Sequence, residues 1–306
     1  MTEIECPSGS NFPPAMSDES EKIGTETADQ ADKPSHSTDL VYNSKKPRWW
    51  KSVAGNATKG QKRAMETILA NHRLPSVPYG TFLDWSQIFP ENPDIWLEIG
   101  FGQGENLLAL AHRKRHENVV FVGAEIHKSG TGTACRRMQE GKEINRFWID
   151  YTVFSKDSTT SNNPNEEGSD GTEKHDDPYR NLRLHPGDGV KLLPYIPSSS
   201  LSAVLITFPD PFPKECQRQW RVIQKHTICE IYRVLKDSGH FFLATDHDGF
   251  NQWAHLILNE VNEDSPIFLE VNPCPGRMDW LPVVSKYEKK GWDEGRSTNL
   301  NCWEKI

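Results

Sequence analysis

Apolar positions along this chain fall into short unbroken runs, separated by stretches where they recur every three or four residues. Asp94 to Leu97, Val119 to Gly123, Ala203 to Phe208 and Phe241 to Thr245 are runs of strand length, and Asn181-Leu-Arg-Leu-His185 reads as a further strand between the second and third of them. A strand buried on both faces shows this continuous pattern. Between them the spacing turns helical: Leu107, Leu108, Leu110 and Ala111, then Lys128 to about Gly141, then about Gly249 to Asn262. A helix is also expected from about Cys216 to Leu235, with Ile223, Ile228, Ile231 and Val234 facing inward. Thr58-x-x-Gln61 is a capping box that opens an earlier helix through about Asn71, burying Ala64, Met65, Ile68 and Leu69. Strands near Ile267–Val271 and Thr298–Trp303 complete the plan. The alternation predicts an α/β fold: a seven-stranded, mostly parallel sheet with helices on both faces.

The first strand runs into Leu97-Glu98-Ile99-Gly100-Phe101-Gly102-Gln103-Gly104. A strand–glycine–helix turn lets backbone N–H groups approach a ligand closely. It is not a dinucleotide fingerprint, because position 105 is Glu and the third glycine comes one residue early. Glu98 adds negative charge where a pyrophosphate would sit, so the turn suits a ligand that carries positive charge. The second strand ends in Glu125, placed where an acid holds ribose hydroxyls in a doubly wound fold. Asp188, between Gly187 and Gly189, reads equally as a ligand acid or a helix N-cap.

Ala203 to Phe208 ends in Pro209-Asp210-Pro211-Phe212-Pro213-Lys214. Ligands of such sheets lie outside the carboxyl ends of the strands, and two prolines around Asp210 hold a rigid turn for a positioned carboxylate. Beyond it, Arg218, Arg221 and Lys225 would form a basic stripe on the expected helix, a candidate RNA contact. Phe241 to Thr245 ends in Asp246, at the neighbouring strand end.

Charge changes the picture of the partners. The chain carries a formal net charge of −8, which argues against nucleic acid until its distribution is considered. Residues 1–44 carry −7 and residues 155–181 carry −4, both in polar stretches without core-forming periodicity; the remainder carries +3. The expected organisation is a disordered acidic tail over 1–44, a basic arm and helix over 45–75, and a catalytic domain over 76–306 with an acidic surface insertion at about 155–181. Lys45, Lys46, Arg48, Lys51, Lys59, Lys62 and Arg63 interleave with Trp49 and Trp50. Such a mixture suits a phosphate backbone and unstacked bases, or else a solvated helix face with indoles on the core. Six scattered cysteines show no metal-ligand or disulfide spacing, and His226, His240, His247 and His255 show none either, so no metal is expected. No membrane span, signal peptide or transit peptide is expected, which points to an intracellular protein of cytoplasm or nucleus.

With these residues in view, the chain resembles the tRNA (guanine-N7)-methyltransferase family, in its bacterial single-chain type. The resemblance covers about residues 46–306. It rests on Ala57-Thr58-Lys59-Gly60-Gln61-Lys62-Arg63-Ala64, the glycine turn, Gly123-Ala124-Glu125-Ile126-His127, Phe208-Pro209-Asp210-Pro211, Ala244-Thr245-Asp246 and Ser285-Lys286-Tyr287-Glu288. It implies a Rossmann-like class I methyltransferase that uses S-adenosylmethionine and acts on N7 of a variable-loop guanine, position 46, in tRNA. By the same resemblance, Glu98, Gly100, Gly102, Gly104, Glu125, Asp188 and Asp210 bind the cofactor and Asp210 is catalytic. Lys214, Asp246, Ser285, Lys286, Tyr287 and Glu288 would contact substrate, and Cys216 to Arg221 would contact RNA. Ser285 stands where the family has threonine, and Phe212-Pro213 where it often has Trp-His. No partner subunit is implied. The rival expectations are another S-adenosylmethionine-dependent RNA or protein methyltransferase, and a non-catalytic RNA-binding subunit with a vestigial cofactor pocket.

Overall fold

A computed structural model describes residues 56–140 and 177–306. The acidic tail, Trp49, Trp50 and nearly all of the acidic insertion lie outside the described residues. The elements are α1 (Lys59–His72), α2 (Trp85–Ile88), β1 (Asp94–Ile99), α3 (Glu105–Arg113), β2 (Val119–Ala124), α4 (Lys128–Glu140), β3 (Leu182–His185) and α5 (Gly189–Leu192). They continue with β4 (Leu201–Thr207), α6 (Lys225–Val234), β5 (Leu235–Thr245), α7 (Asp248–Asn262), β6 (Phe268–Glu270), α8 (Arg277–Trp280), α9 (Lys286–Asp293) and β7 (Asn299–Lys305).

The seven strands form one sheet in the order β3-β2-β1-β4-β5-β7-β6. β1 pairs in parallel with both β2 and β4, while β7 runs antiparallel to β5 and β6. The strand order therefore reverses at β1 and β4, where a doubly wound sheet opens its ligand crevice. Alternate strand residues feed two cores. Leu97, Val122, Val204, Ile206, Phe241 and Leu243 pack against α6 and α7 through Ile228, Ile231, Phe250 and Leu258. Phe121, Leu205, Phe242 and Cys302 pack on the other side with Leu107, Leu110, Met138 and Trp280. Trp280 stacks on Phe242 at 5.5 Å and on Trp96 at 4.8 Å, which fastens α8 to the sheet.

The capping box forms as the sequence predicts: Thr58 Oγ1 accepts from Gln61 N–H, and the Gln61 side chain accepts from Thr58 N–H. Gln61 also donates to Ser129 O and Thr133 Oγ1, tying the start of α1 to the start of α4. Three expectations need correction. The helix expected over 216–235 is two pieces: a 3₁₀ turn, Glu215–Trp220, and then α6 from Lys225. Gln224 Nε2 donates to the carbonyls of Arg218 and Arg221, satisfying acceptors that a continuous helix would have used internally. The insertion also ends earlier than residue 181. Tyr179 is 1% exposed in the core, and Asp177 Oδ2 lies 3.0 Å from His72 Nε2 on α1. β5 starts at Leu235, six residues before the expected strand, because Leu235 pairs with Leu201 ahead of a register shift.

Candidate active site

The glycine turn has the backbone its composition demands. Gly100, Gly102 and Gly104 have φ of 79°, 57° and 79°, the left-handed region that side chains disfavour. Gly104 caps α3, and a Cβ there would lie 2.8 Å from Ala134 Cβ on α4. Gly130, on the first turn of α4, allows the other close approach, since any side chain would run into the Gly102 carbonyl. The sequence reading missed Gly130; the glycines inside the helical stretch after Glu125 were the signal.

Glu98 ends β1 beneath this turn and is 2% exposed. Its Oε1 accepts from Thr207 Oγ1 at 2.8 Å and Asn106 Nδ2 at 3.5 Å, while Oε2 has no hydrogen-bond partner among the described residues. Burial pushes its carboxyl up to about 7. A buried carboxylate oxygen without a donor fits a ligand that brings a cationic N–H group. Glu125, at the end of β2, is also buried, which raises its pKa; N–H groups of His127 and Gly102 oppose the shift, at 2.6 and 2.7 Å. Those two donors orient the carboxylate at the rim of the glycine turn. Asp188 caps α5, its Oδ1 accepting from Val190 N–H at 3.0 Å, so the capping role read from the sequence is present.

β4 ends at Thr207, and Asp210 follows on an exposed turn. Phe208 and Phe212 bracket it with φ of 48° and 41°, left-handed conformations at two bulky residues. The Tyr287 ring lies over the glycine turn, 3.8 Å from where a Gly102 Cβ would sit. Burial raises its phenol pKa, and the charges of Asp210, Glu125 and Glu105 raise it further, so these groups converge on one crevice. α9 is docked there by Lys286 N–H, which donates to Glu105 Oε2 at 2.9 Å.

The structure divides the expected substrate residues. Lys214, Lys286 and Tyr287 are exposed. Ser285 is buried and caps α9 through Glu288 N–H, and Glu288 is fully buried, bound by both Arg277 nitrogens at 2.6 and 2.8 Å and by Thr298. Asp246 is partly buried against Gly291 and accepts from Arg296 Nε at 2.9 Å. The basic stripe does not exist as a stripe. Arg218 lies on the 3₁₀ turn beside Glu215, Lys225 lies on α6 beside Glu260, and Arg221 between them is buried at 6% exposure. Neither Asn106 and Thr207 nor Arg277 and Arg296 were singled out from the sequence, because their roles depend on partners far along the chain. Thr207 alone left a trace, as the polar residue closing an apolar run.

Residues 92–299 match the family model described as "Putative methyltransferase". Among curated relatives, a tRNA (guanine-N(7)-)-methyltransferase of Rhodospirillum rubrum is 29% identical over 77% of this chain and 78% of its own length. One of Cupriavidus metallidurans is 26% identical over 93% of this chain and 94% of its own, and one of a Caulobacter species is 27% identical over 63% and 67%. The match extends from the start of the sheet through α9, so the glycine turn, Glu125, Asp210 and Tyr287 all fall within it. The chain belongs to this family of methyltransferases, the one its resemblance to the tRNA (guanine-N7) enzymes pointed to, and it is an S-adenosylmethionine-dependent enzyme.

Proposed function

We propose that the protein transfers a methyl group from S-adenosylmethionine to N7 of guanine 46 in the variable loop of tRNA. The observation that carries this reading is the gathering of Glu125, Asp210 and Tyr287 over the glycine turn, at the point where strand order reverses. When bound, the cofactor supplies an electrophilic methyl on a sulfonium. Glu98 Oε2 would receive the ammonium end, Glu125 the ribose hydroxyls and Asp188 the adenine amino group, with Gly102 leaving room for the main chain to close on the ligand.

Guanine N7 offers a lone pair and loses no proton on methylation. The chain therefore has to supply orientation and negative charge, not a base. Asp210 stands exposed on a fixed turn, where its carboxylate can offset the positive charge that grows on the ring and can accept from guanine N1–H and the exocyclic amine. Tyr287 offers an aromatic face beside it for stacking, and Lys214 at the turn's end suits a phosphate or carbonyl oxygen. Asp246, fixed by Arg296, lends its field from the neighbouring strand end. The proposed setting is inside the cell, in cytoplasm or nucleus, where tRNA is found.

Incubation of the full chain with unmodified tRNA and the cofactor, followed by reduction and aniline scission, maps N7-methylguanine directly. Cleavage at guanine 46 is expected. Methyl incorporation without scission would mean that another atom is the acceptor, and cofactor binding without incorporation would favour a non-catalytic RNA-binding subunit.

A further inference from the structure

We propose that Arg221 is the positioning residue for the Asp210 carboxylate, acting through the backbone of its turn and not through contact with RNA. The inference rests on the catalytic reading of Asp210 above. Phe208 and Phe212 are held left-handed on either side of Pro209-Asp210-Pro211. Such a conformation at a bulky residue is strained and persists only where the surroundings over-determine it. On the strand side the restraint is the sheet, for Phe208 N–H donates to Ala244 O on β5 at 2.8 Å. On the far side it is Arg221. Its Nε donates to Pro211 O at 2.9 Å and its Nη2 to Phe212 O at 3.1 Å, so one planar group grips two consecutive carbonyls.

The guanidinium is itself fixed. It lies 5.2 Å from the Trp253 ring centroid and 5.8 Å from that of Phe250, both on α7. Trp253 is pinned in turn by Nε1, which donates to Ile223 O at 2.7 Å. The break between the 3₁₀ turn and α6, closed by Gln224, is what turns Arg221 inward. In a continuous helix it would face solvent with Arg218. Arginine suits this place because its planar fork can donate in two directions while its face rests on aromatic rings; a lysine offers a single point charge.

The test compares Arg221→Lys, Arg221→Ala and Asp210→Asn with the wild type in the full chain. Single-turnover rate at saturating tRNA and cofactor, tRNA affinity across salt concentrations, and melting temperature are measured for each. Arg221→Lys is expected to lower the saturating rate about 100-fold, the scale of a misplacement near 1 Å. Its tRNA affinity and salt slope should stay within twofold of wild type. Millimolar guanidinium should restore part of the rate to Arg221→Ala, which a general loss of packing would not allow. A normal saturating rate in Arg221→Lys, with weaker tRNA binding and a flatter salt slope, would make Arg221 an RNA contact and overturn the proposal. So would a rate loss in Arg221→Ala that tracks the unfolded fraction and resists rescue. Asp210→Asn separates the two layers. If it collapses the rate while Arg221→Lys is silent, only the positioning role fails; if it is silent itself, the catalytic reading fails with it.

Discussion

Asp210 and Glu98 are both acids at strand ends, yet their surroundings assign them opposite tasks. Asp210 is exposed on a rigid turn, and under the proposed mechanism it meets charge that develops during reaction. Asp210→Asn keeps the size and removes the charge. Losing one preorganised electrostatic contact is worth roughly 3–4 kcal/mol, so the single-turnover rate should fall at least about a hundredfold. Cofactor and tRNA affinities, read by calorimetry and filter binding, should change less than threefold. Glu98 instead is buried, with a carboxyl raised to about 7, and in the proposed site it must ionise to hold an ammonium group. Below that value the proton competes with the ligand. Cofactor affinity should therefore rise about tenfold between pH 6 and pH 7.5 and then level off. Glu98→Gln should bind weakly at every pH in that range, with the slope removed; a wild-type affinity that is flat across the range would take Glu98 out of the ligand site.

Elements far apart in sequence complete the crevice, and α9 shows how. Its helix starts on Ser285, docks on Glu105 and carries Tyr287 over the glycine turn, while Glu288 points inward to a two-pronged pair with Arg277 on α8. Removing one member of a buried pair strands the other charge, at a typical cost of about 3–5 kcal/mol. Arg277→Met should lower the urea-unfolding free energy by that order. Adding Glu288→Gln should recover most of the loss, since the amide can still accept from Thr298. Equal losses in the single and double variants would show that Arg277 matters through packing alone. The parallel strands, the glycine turn and the capping box were legible in the sequence, because each follows from local pattern: continuous apolar runs, alternating glycines, Thr58 with Gln61. The split of the 216–235 helix was not. Ile223, Ile228, Ile231 and Val234 all do face inward, so the apolar spacing hid a break that depends on Gln224 bonding back to two carbonyls. For the same reason Arg221 read as a surface cation: nothing local says that Pro211 and Phe212 will offer it acceptors. Ser285 and Glu288 were expected, from the resemblance, to contact substrate beside Tyr287, but Ser285 caps α9 and Glu288 is taken up by Arg277 on α8 and by Thr298 ahead of β7.

For the whole molecule, the ligand crevice and the stability of the fold are opposed at Glu98. The folded chain keeps this carboxyl protonated up to about pH 7, whereas the unfolded chain releases the proton near the ordinary value of 4.5. Between those limits the folded state binds more protons, so stability declines as pH rises from about 4.5 to 7 and the penalty stays constant above. A raised shift of that size amounts to about 3 kcal/mol at pH 8, as an upper bound on what burying the acid costs the unliganded protein. Glu98→Gln removes the charge and keeps an acceptor for Thr207. Without cofactor, at pH 8, this variant should melt at or above the wild-type temperature. At pH 5 the difference should shrink to about a quarter of its pH 8 value, because there the unfolded carboxyl begins to take up its proton too. Cofactor reverses the order. Ligand at a hundred times its dissociation constant contributes about 2.7 kcal/mol to a protein that binds it only when folded. For a domain of this size that is a rise of roughly 5–10 °C in melting temperature. The wild type should gain this shift at pH 8, and Glu98→Gln should gain little of it at the same cofactor concentration. Thermal melts of both proteins at pH 5 and pH 8, with and without S-adenosylmethionine, give all the comparisons. A Glu98→Gln protein that is less stable than wild type without ligand at pH 8 would show that the acid serves the fold first and the crevice second.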